Sequence, residues 1–387
     1  MNHNRNQKPH LGMKVIAISN YQICTRCVMD TSDPDITFDV NGICTHCHQY
    51  DARCEQLSAG AEAEGMLEEM IDKIKRSGEG KTYDSILGLS GGVDSSHLAY
   101  HSKQLGLRPL AVHLDNGWDS ELAINNIQNI VRKLSFDLHT HVVDWQEFRD
   151  LQRSFFKAHV IDIEMLTDHA IGALVYQQAR AHKVRYILSG ENIATESHLP
   201  DAWTHFKSDL RNIKSIHKEH GTLPLETFPR AGSFKRRVYD RLYGISRVTL
   251  LDLLHYKRKD AIDTLERELG WRPYGAKHGE SLFTRFYQNY ILFEKFGVDK
   301  RRAHLSSLIC SDQVERRHAL AELESLPYDP ATIETDKEFV LKKLGFTNEE
   351  FRKYMETPPR SHFEYATDQK YMKGFAKLLR IVRPHRH

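Results

Sequence analysis

The stretch ILGLSGGVDSSHLAYHSKQLG, residues 86–106, constrains the fold more than any other. An apolar run ends in Ser-Gly-Gly, and a helical pattern through Leu98 and Leu105 follows at once. The same alternation recurs downstream. YDSILGL (83–89) reads as a first strand and RPLAVHLDNGW (108–118) as a second, bounded by Pro109 and a DNG turn. SELAINNIQNIVRKLSF is an amphipathic helix with Leu122, Ile127, Ile130 and Leu134 near one face. DLHTHVVDW is a third strand, 165–183 a helix, and VRYILSGEN a fourth strand. Strands alternating with helices predict βαβ units: an α/β fold with a parallel sheet and helices on both faces. Ligands of such sheets bind at the carboxyl ends of the strands. Three polar strand ends should then face one crevice: Ser90–Ser96, Asp115–Gly117 and Ser189–Asn192.

Cysteines mark a second unit. Cys24, Cys27, Cys44, Cys47 and Cys54 fall close together near the start, and only Cys310 lies beyond them. Cys24-x-x-Cys27 and Cys44-x-x-Cys47 flank a segment holding a DVNG turn, a spacing that matches a four-cysteine zinc site. Four thiolates favour tetrahedral Zn²⁺ in a closed, structural site, here a knuckle too small to bury a core alone. His46 and His48 are possible substitutes, but four cysteines complete the shell. Cys54 reads as a buried thiol without a partner.

The expected organisation is a flexible head (1–20), a zinc-binding knuckle (21–60), the α/β domain (61–255) and a helical C-terminal region (256–387). Turn breaks in the last fall at GWRPYGAKHG, LPYDP and TPPRS. A helix is expected over 61–77 from Met66, Met70, Ile71 and Ile74. No run approaches the length of a membrane span, and MNHNRNQKPHLG lacks the apolar core of a signal peptide, so the expected compartment is the cytoplasm. The net charge of +2 argues against a nucleic-acid-binding surface, although residues 207–259 hold 13 Lys/Arg against 5 Asp/Glu.

Ser90-Gly91-Gly92-Val93-Asp94-Ser95-Ser96 carries the clearest chemistry. Ser-Gly-Gly alone could be a capped helix after a turn. Between a strand and a helix, the full string is a phosphate cradle. Its glycines let backbone N–H groups approach an oxyanion, the helix N-terminus adds its dipole, and the serines donate further. Asp94 fits beside a phosphate when a cation such as Mg²⁺ lies between. The Gly-x-x-x-x-Gly-Lys-Ser/Thr pattern of a Walker loop is absent. A third constellation, residues 274–313, crowds Lys277, His278, Glu280, Arg285, Lys300, Arg301, Arg302 and His304 among Phe283, Phe286, Tyr287, Tyr290 and Phe293. That interleaving suggests a packed surface with charges aimed at a ligand, with Lys277 and His278 in a glycine-flanked loop near phosphate.

The SGGVDSS string resembles the pyrophosphate-binding loop of the PP-loop ATP pyrophosphatases, the adenine-nucleotide alpha-hydrolase (HUP-like) superfamily. By that resemblance, Ser90, Gly91, Gly92, Val93, Asp94, Ser95 and Ser96 hold the pyrophosphate of ATP. Asp115 lies where such proteins often bind the nucleoside, and Gly190 joins the nucleotide contacts. The four-cysteine head, SGGVDSS, SGENIATES, the long WRPYGAKHGESLFTRFYQNYILFEKFGVDKRRAHLSSLI string and LPYDP together resemble the N-acetyl sugar amidotransferases of bacterial surface-polysaccharide biosynthesis, over residues 20 to 380. The resemblance implies that an acetamido group of a nucleotide-linked sugar becomes an acetamidino group, with ATP, Mg²⁺ and structural Zn²⁺. Adenylation makes AMP the leaving group, and ammonia displaces it.

The sequence contains no Gly-x-Cys-x-Gly elbow, so a separate glutaminase subunit is the expected ammonia source. Asp94, Lys277 and His278 are then the expected catalytic residues, and Glu191, Asn192 and Arg285 the expected substrate contacts. The rival within the superfamily is tRNA thiolation, which needs thiols near the loop. Past Cys54 only Cys310 remains, in LICSDQ, without a paired thiol.

Overall fold

The computed structural model describes residues 21–57, 61–274 and 279–369. Five parallel strands, β1 (Ser85–Gly88), β2 (Pro109–Asp115), β3 (Leu138–Val142), β4 (Tyr186–Leu188) and β5 (Ser246–Val248), form one sheet in the order β3-β2-β1-β4-β5. The strand order reverses between β1 and β4. That switch point lies at their carboxyl ends, where open α/β sheets bind ligands.

Helix α1 (Thr45–Gln56) closes the cysteine knuckle, and α2 (Ala61–Ser77) leads into the sheet. The crossovers carry α3 (Val93–Gln104), α4 (Glu121–Leu134), α5 (Trp145–Ala158) and α6 (Met165–Ala181). Between β4 and β5 lie α7 (Ile193–Glu196), α8 (Leu210–His220) and α9 (Ser233–Tyr243). Beyond the sheet come α10 (Arg258–Leu269), α11 (Leu282–Phe286), α12 (Leu292–Phe296), α13 (Lys300–Cys310), α14 (Arg316–Leu323), α15 (Pro330–Leu344) and α16 (Asn348–Glu356). A π-turn at Tyr287–Ile291 joins α11 to α12.

Local signals explain the elements. In α4, Ala123, Ile127, Ile130 and Leu134 form the buried stripe, and the Ser120 hydroxyl caps it by accepting from the Ala123 N–H at 3.2 Å. Asp144 caps α5 in the same way, accepting from Glu147 N–H at 2.9 Å. Along the strands, burial alternates between two cores. Ile86, Leu110, Val112, Leu114 and Ile187 face a core that continues through α5 and α6 into the knuckle cysteines and the C-terminal helices. Leu87, Ala111, Leu188 and Val248 face the other, built from α2, α3, α4 and α10. Helices therefore cover both faces, as the alternating pattern predicts. Helix α3 is buried almost all round (Val93, Ser95, Ser96, His97, Leu98, Ala99, Ser102), so its sequence shows little amphipathicity.

Two differences from the sequence reading have simple causes. Strand β5 is three residues long with only Val248 buried, too little for a period-2 signal. The segment 207–259, singled out for charge, contains α8, α9 and β5, and several of its cations serve internal contacts. Lys207 pairs with Asp162 at 2.6 Å and Asp168 at 3.1 Å, Arg230 donates to Leu225 O, and Arg236 donates to Ala231 O. The head at 1–20 lies outside the described residues. Among the described residues no helix is long and apolar enough to cross a membrane.

Candidate functional site

The carboxyl ends of β2, β1 and β4 lie side by side, because these strands are neighbours in the sheet. Between β1 and α3 the loop folds on itself. The Ser90 and Ser95 hydroxyls are 3.0 Å apart, Gly92 N–H donates to Ser90 Oγ at 3.3 Å, and Ser96 Oγ donates to Gly92 O at 2.6 Å. Gly92 is the N-cap residue of α3, and no side chain caps the helix. Its first N–H groups are thereby left to an incoming anion.

Gly91 must be glycine. Its φ is +82°, and a Cβ there would sit 3.1 Å from Tyr274 Oη, 3.2 Å from Ala123 O and 3.2 Å from Ile127 Cγ1. Trp271 Nε1 and Tyr274 Oη both donate to Gly91 O at 2.8 Å, which pins the turn from outside. Gly91→Ala is expected to cost about 1–3 kcal/mol through the left-handed backbone and the crowded Cβ; thermal denaturation checks it. Gly190, at the end of β4, has the same close approach. A Cβ there would meet Ser95 N at 3.1 Å and Ser95 Cα at 3.2 Å, so the two strand-end loops touch through backbone.

Asp94 stands in the first turn of α3, and its Oδ1 accepts a short hydrogen bond from the Tyr256 hydroxyl. Burial, reinforced by the Asp94 charge, raises the Tyr256 pKa well beyond the ordinary phenol range, so the phenol stays a donor. Glu280 comes to the same loop: its Oε1 lies 3.8 Å from the position a Cβ on Gly92 would take. Its backbone O accepts from Ser120 N–H at 2.8 Å, and Leu282 N–H donates to Trp118 O at 3.0 Å. The segment entering α11 is thus laid against the loop that leaves β2.

Asp115 ends β2, its Oδ1 accepting from Gly117 N–H at 2.9 Å. Lys343 of α15 donates to Gly117 O with its ammonium 4.7 Å from the Trp118 ring and 4.8 Å from Trp145. Burial lowers the Lys343 pKa, and the charges of Asp115 and Asp119 oppose that. Beneath the loop, His113 contacts Leu89 O at 3.0 Å and Asp119 Oδ2 at 3.1 Å. Burial, the largest single influence, disfavours its protonation, but Asp119, Leu89 O and the Asp115 charge together outweigh it and the net shift is upward.

The expected substrate residues are placed unevenly. Glu191 is exposed at the crevice, and Arg247 ties it at 2.8 Å to the end of β4 while also donating to Ser189 Oγ at 2.9 Å. Asn192 is buried as the N-cap of α7, its Oδ1 accepting from Thr195 N–H at 2.9 Å. Arg285 forms a two-pronged pair with buried Asp336, at 2.7 and 2.6 Å. Arg285→Ala would leave that carboxylate uncompensated and is expected to cost about 3 kcal/mol, read as a fall in melting temperature. Lys277 and His278 lie outside the described residues. Of their neighbours, Arg301 pairs with Asp299, Arg302 pairs with Asp30 at 3.0 Å, and His304 contacts Thr195 O at 3.3 Å.

Sequence reasoning missed Tyr256, Trp271, Tyr274 and Lys343, which reach the crevice from 140 or more positions away. Tyr274 and Trp271 could be suspected from WRPY, next to the charged block; the other two carry no local signal.

The knuckle gathers its four sulfurs. Cys24 and Cys47 are 3.9 Å apart, Cys27 and Cys44 3.6 Å, and Cys44 and Cys47 3.7 Å, all buried. A tetrahedral ion with Zn–S bonds of about 2.3 Å holds its sulfurs about 3.8 Å apart. The spacing fits one such ion. Backbone N–H groups of Cys27, Met29 and Cys44 point at Cys24 and Cys27 sulfurs at 3.3–3.4 Å, as thiolate ligands require. Arg316 fastens the knuckle to α14 by donating to Cys24 O and Cys27 O.

Comparison with solved structures returns chains of low similarity. An NH3-dependent NAD synthetase from Campylobacter jejuni is 16% identical, with 35% of this chain and 59% of that chain covered and a TM-score of 0.27. The NMN synthetase of Francisella tularensis is 12% identical, with 57% and 96% covered and a TM-score of 0.29. The NAD+ synthetase of Burkholderia pseudomallei is 17% identical, with 76% and 94% covered and a TM-score of 0.28. The chain spans about three fifths of the length of the first. No curated protein matches the chain in sequence. Residues 280–379 match the family described as "LPS biosynthesis protein WbpG-like, C-terminal domain", a segment that begins at Glu280 beside the loop. Over those residues, the chain is similar to the C-terminal domain of the WbpG-like LPS biosynthesis proteins.

Proposed function

We propose that the protein is the synthetase subunit of an ATP-dependent amidotransferase that converts the acetamido group of a nucleotide-linked sugar to an acetamidino group. The observation that carries this reading is the Ser90–Ser96 loop at the switch point between β1 and β4. It has a helix N-terminus open to an anion and an aspartate in the first turn. The WbpG-like match supports a surface-polysaccharide substrate.

In the proposed reaction, the amide oxygen of the sugar attacks the α-phosphorus of ATP. The α–β phosphoanhydride bond breaks and pyrophosphate leaves with its electron pair. The N–H groups at the start of α3, with Ser90, Ser95 and Ser96, receive the charge that develops on it. Mg²⁺, when bound, would neutralise the phosphates, and Asp94 and Glu280 would be the carboxylates that hold it. Ammonia then attacks the activated carbon, the C–O bond breaks, and AMP leaves carrying the former amide oxygen. Unprotonated ammonia is best delivered in a water-poor site, which favours a channel from a separate glutaminase. Cys24, Cys27, Cys44 and Cys47 would hold a structural Zn²⁺ with no part in the chemistry. The thiolation alternative asks for a thiol at the loop; Cys310 is instead packed with Cys47 and His198.

The test supplies protein, ATP, Mg²⁺, ammonium and candidate acetamido nucleotide sugars. The expected products are AMP, pyrophosphate and a sugar in which one oxygen has become NH. ADP as the nucleotide product, or AMP with unchanged sugar across all candidates, would contradict the reading.

A further inference from the structure

Cys310 and His198 lie far apart in sequence, yet both converge on the knuckle. Cys310 Sγ is 3.8 Å from Cys47 Sγ and 3.5 Å from His198 Nε2, and Cys47 Sγ is 3.9 Å from the same nitrogen. All three side chains are buried. A tetrahedral ion with bonds of about 2.3 Å to sulfur and 2.0–2.1 Å to nitrogen sets its S···S edge near 3.8 Å and its S···N edges near 3.6 Å. The observed triangle is close to one face of such a tetrahedron. A single S–H···N bond between Cys310 and His198 would explain one edge, not three.

The hydrogen bonds around the imidazole supply an independent observation. Ser307 donates its one hydroxyl proton to Ala303 O at 3.0 Å, and Ser197 donates its own to Ser307 Oγ at 3.2 Å. Both hydroxyl oxygens lie within hydrogen-bond reach of His198 Nδ1, Ser197 at 2.8 Å and Ser307 at 3.3 Å. An Nδ1–H donating to these oxygens leaves the Nε2 lone pair directed at the two sulfurs. Outer hydrogen bonds of this kind fix the tautomer of a metal-bound histidine.

We propose that the protein holds a second thiophilic divalent cation, Zn²⁺ by ligand chemistry, bound by His198 Nε2, Cys310 Sγ and Cys47 Sγ. Cys47 is a thiolate shared with the ion of Cys24, Cys27 and Cys44, and the fourth position is left for a water. The second ion ties three parts of the fold together. His198 lies just beyond α7, the helix that Asn192 caps at the end of β4; Cys310 ends α13; and Cys47 belongs to the knuckle. Helix α7 is also held to α13 by Ser311 Oγ donating to Ala194 O at 2.9 Å. The knuckle is thereby tied to the segment that leaves β4.

The full chain is equilibrated with excess Zn²⁺, dialysed, and its metal counted. Two ions per chain are expected in the wild type and one in Cys310→Ser and in His198→Ala, with the far-ultraviolet circular dichroism retained. One ion in the fully loaded wild type, or two in Cys310→Ser, would overturn the proposal. Should the variants fail to fold, X-ray absorption at the zinc edge of the wild type decides. Imidazole scattering alongside sulfur is expected, and an all-sulfur shell would overturn it.

Discussion

Asp94→Asn is expected to lower AMP and pyrophosphate formation roughly a thousandfold while leaving the melting temperature nearly unchanged. The amide keeps an oxygen to accept the hydrogen bond from Tyr256, so the packing of α3 against Tyr256 survives. What is lost is the negative charge that can hold a cation against the phosphates at the start of α3. Asp94→Ala removes both. It is expected to be equally inactive and, by leaving the buried Tyr256 hydroxyl unpaired, less stable by about 1–3 kcal/mol. Tyr256→Phe separates the two effects from the other side: Asp94 keeps its charge and loses only the donor that orients it. Activity should fall far less than in Asp94→Asn. Radiolabelled ATP turnover with thermal denaturation on the three variants checks the set. An active Asp94→Asn would remove the carboxylate from the account.

Cys44→Ser should have the largest effect on stability. A structural zinc contributes folding free energy on the order of 10 kcal/mol in isolated knuckles. Here the cysteines are not a separate bead. They belong to the same core as Ile86, Val112 and the C-terminal helices, and Val28 N–H donates to Ser306 Oγ of α13 at 3.2 Å. Losing the ion should therefore loosen α13 and α14 as well as the knuckle. Hydrogen exchange should show it as lost protection over 300–323, and metal analysis as an empty four-sulfur site. Unchanged protection in that segment would mean the knuckle is held by packing alone.

Much of the fold is legible in the chain because its strong signals are local. The two buried strands β1 and β2, the apolar face of α4 and the Cys-x-x-Cys pairs each declare themselves within a few residues. The Ser90–Ser96 loop is legible for the same reason: its glycines and hydroxyls act on one another. What escapes is long-range. Nothing around Tyr256 hints that it reaches Asp94, nor around Lys343 that it reaches the end of β2. The charged block at 274–313 shows where composition misleads. Its cations look aimed at a ligand, yet Arg285, Arg301 and Arg302 are engaged by Asp336, Asp299 and Asp30, whose places in the sequence give no warning of it. Cys310 is the sharpest case. Alone in sequence, it has a thiol and an imidazole within 4 Å in the fold.

The chemistry itself is tested most directly by the fate of one oxygen atom. A nucleotide sugar carrying ¹⁸O in its acetamido carbonyl is turned over with unlabelled ATP, Mg²⁺ and ammonium in ordinary water. If the amide oxygen attacks the α-phosphorus, the label must leave with AMP and the sugar product must hold none. Label retained in the sugar, released to water, or found in inorganic phosphate with ADP would contradict the account.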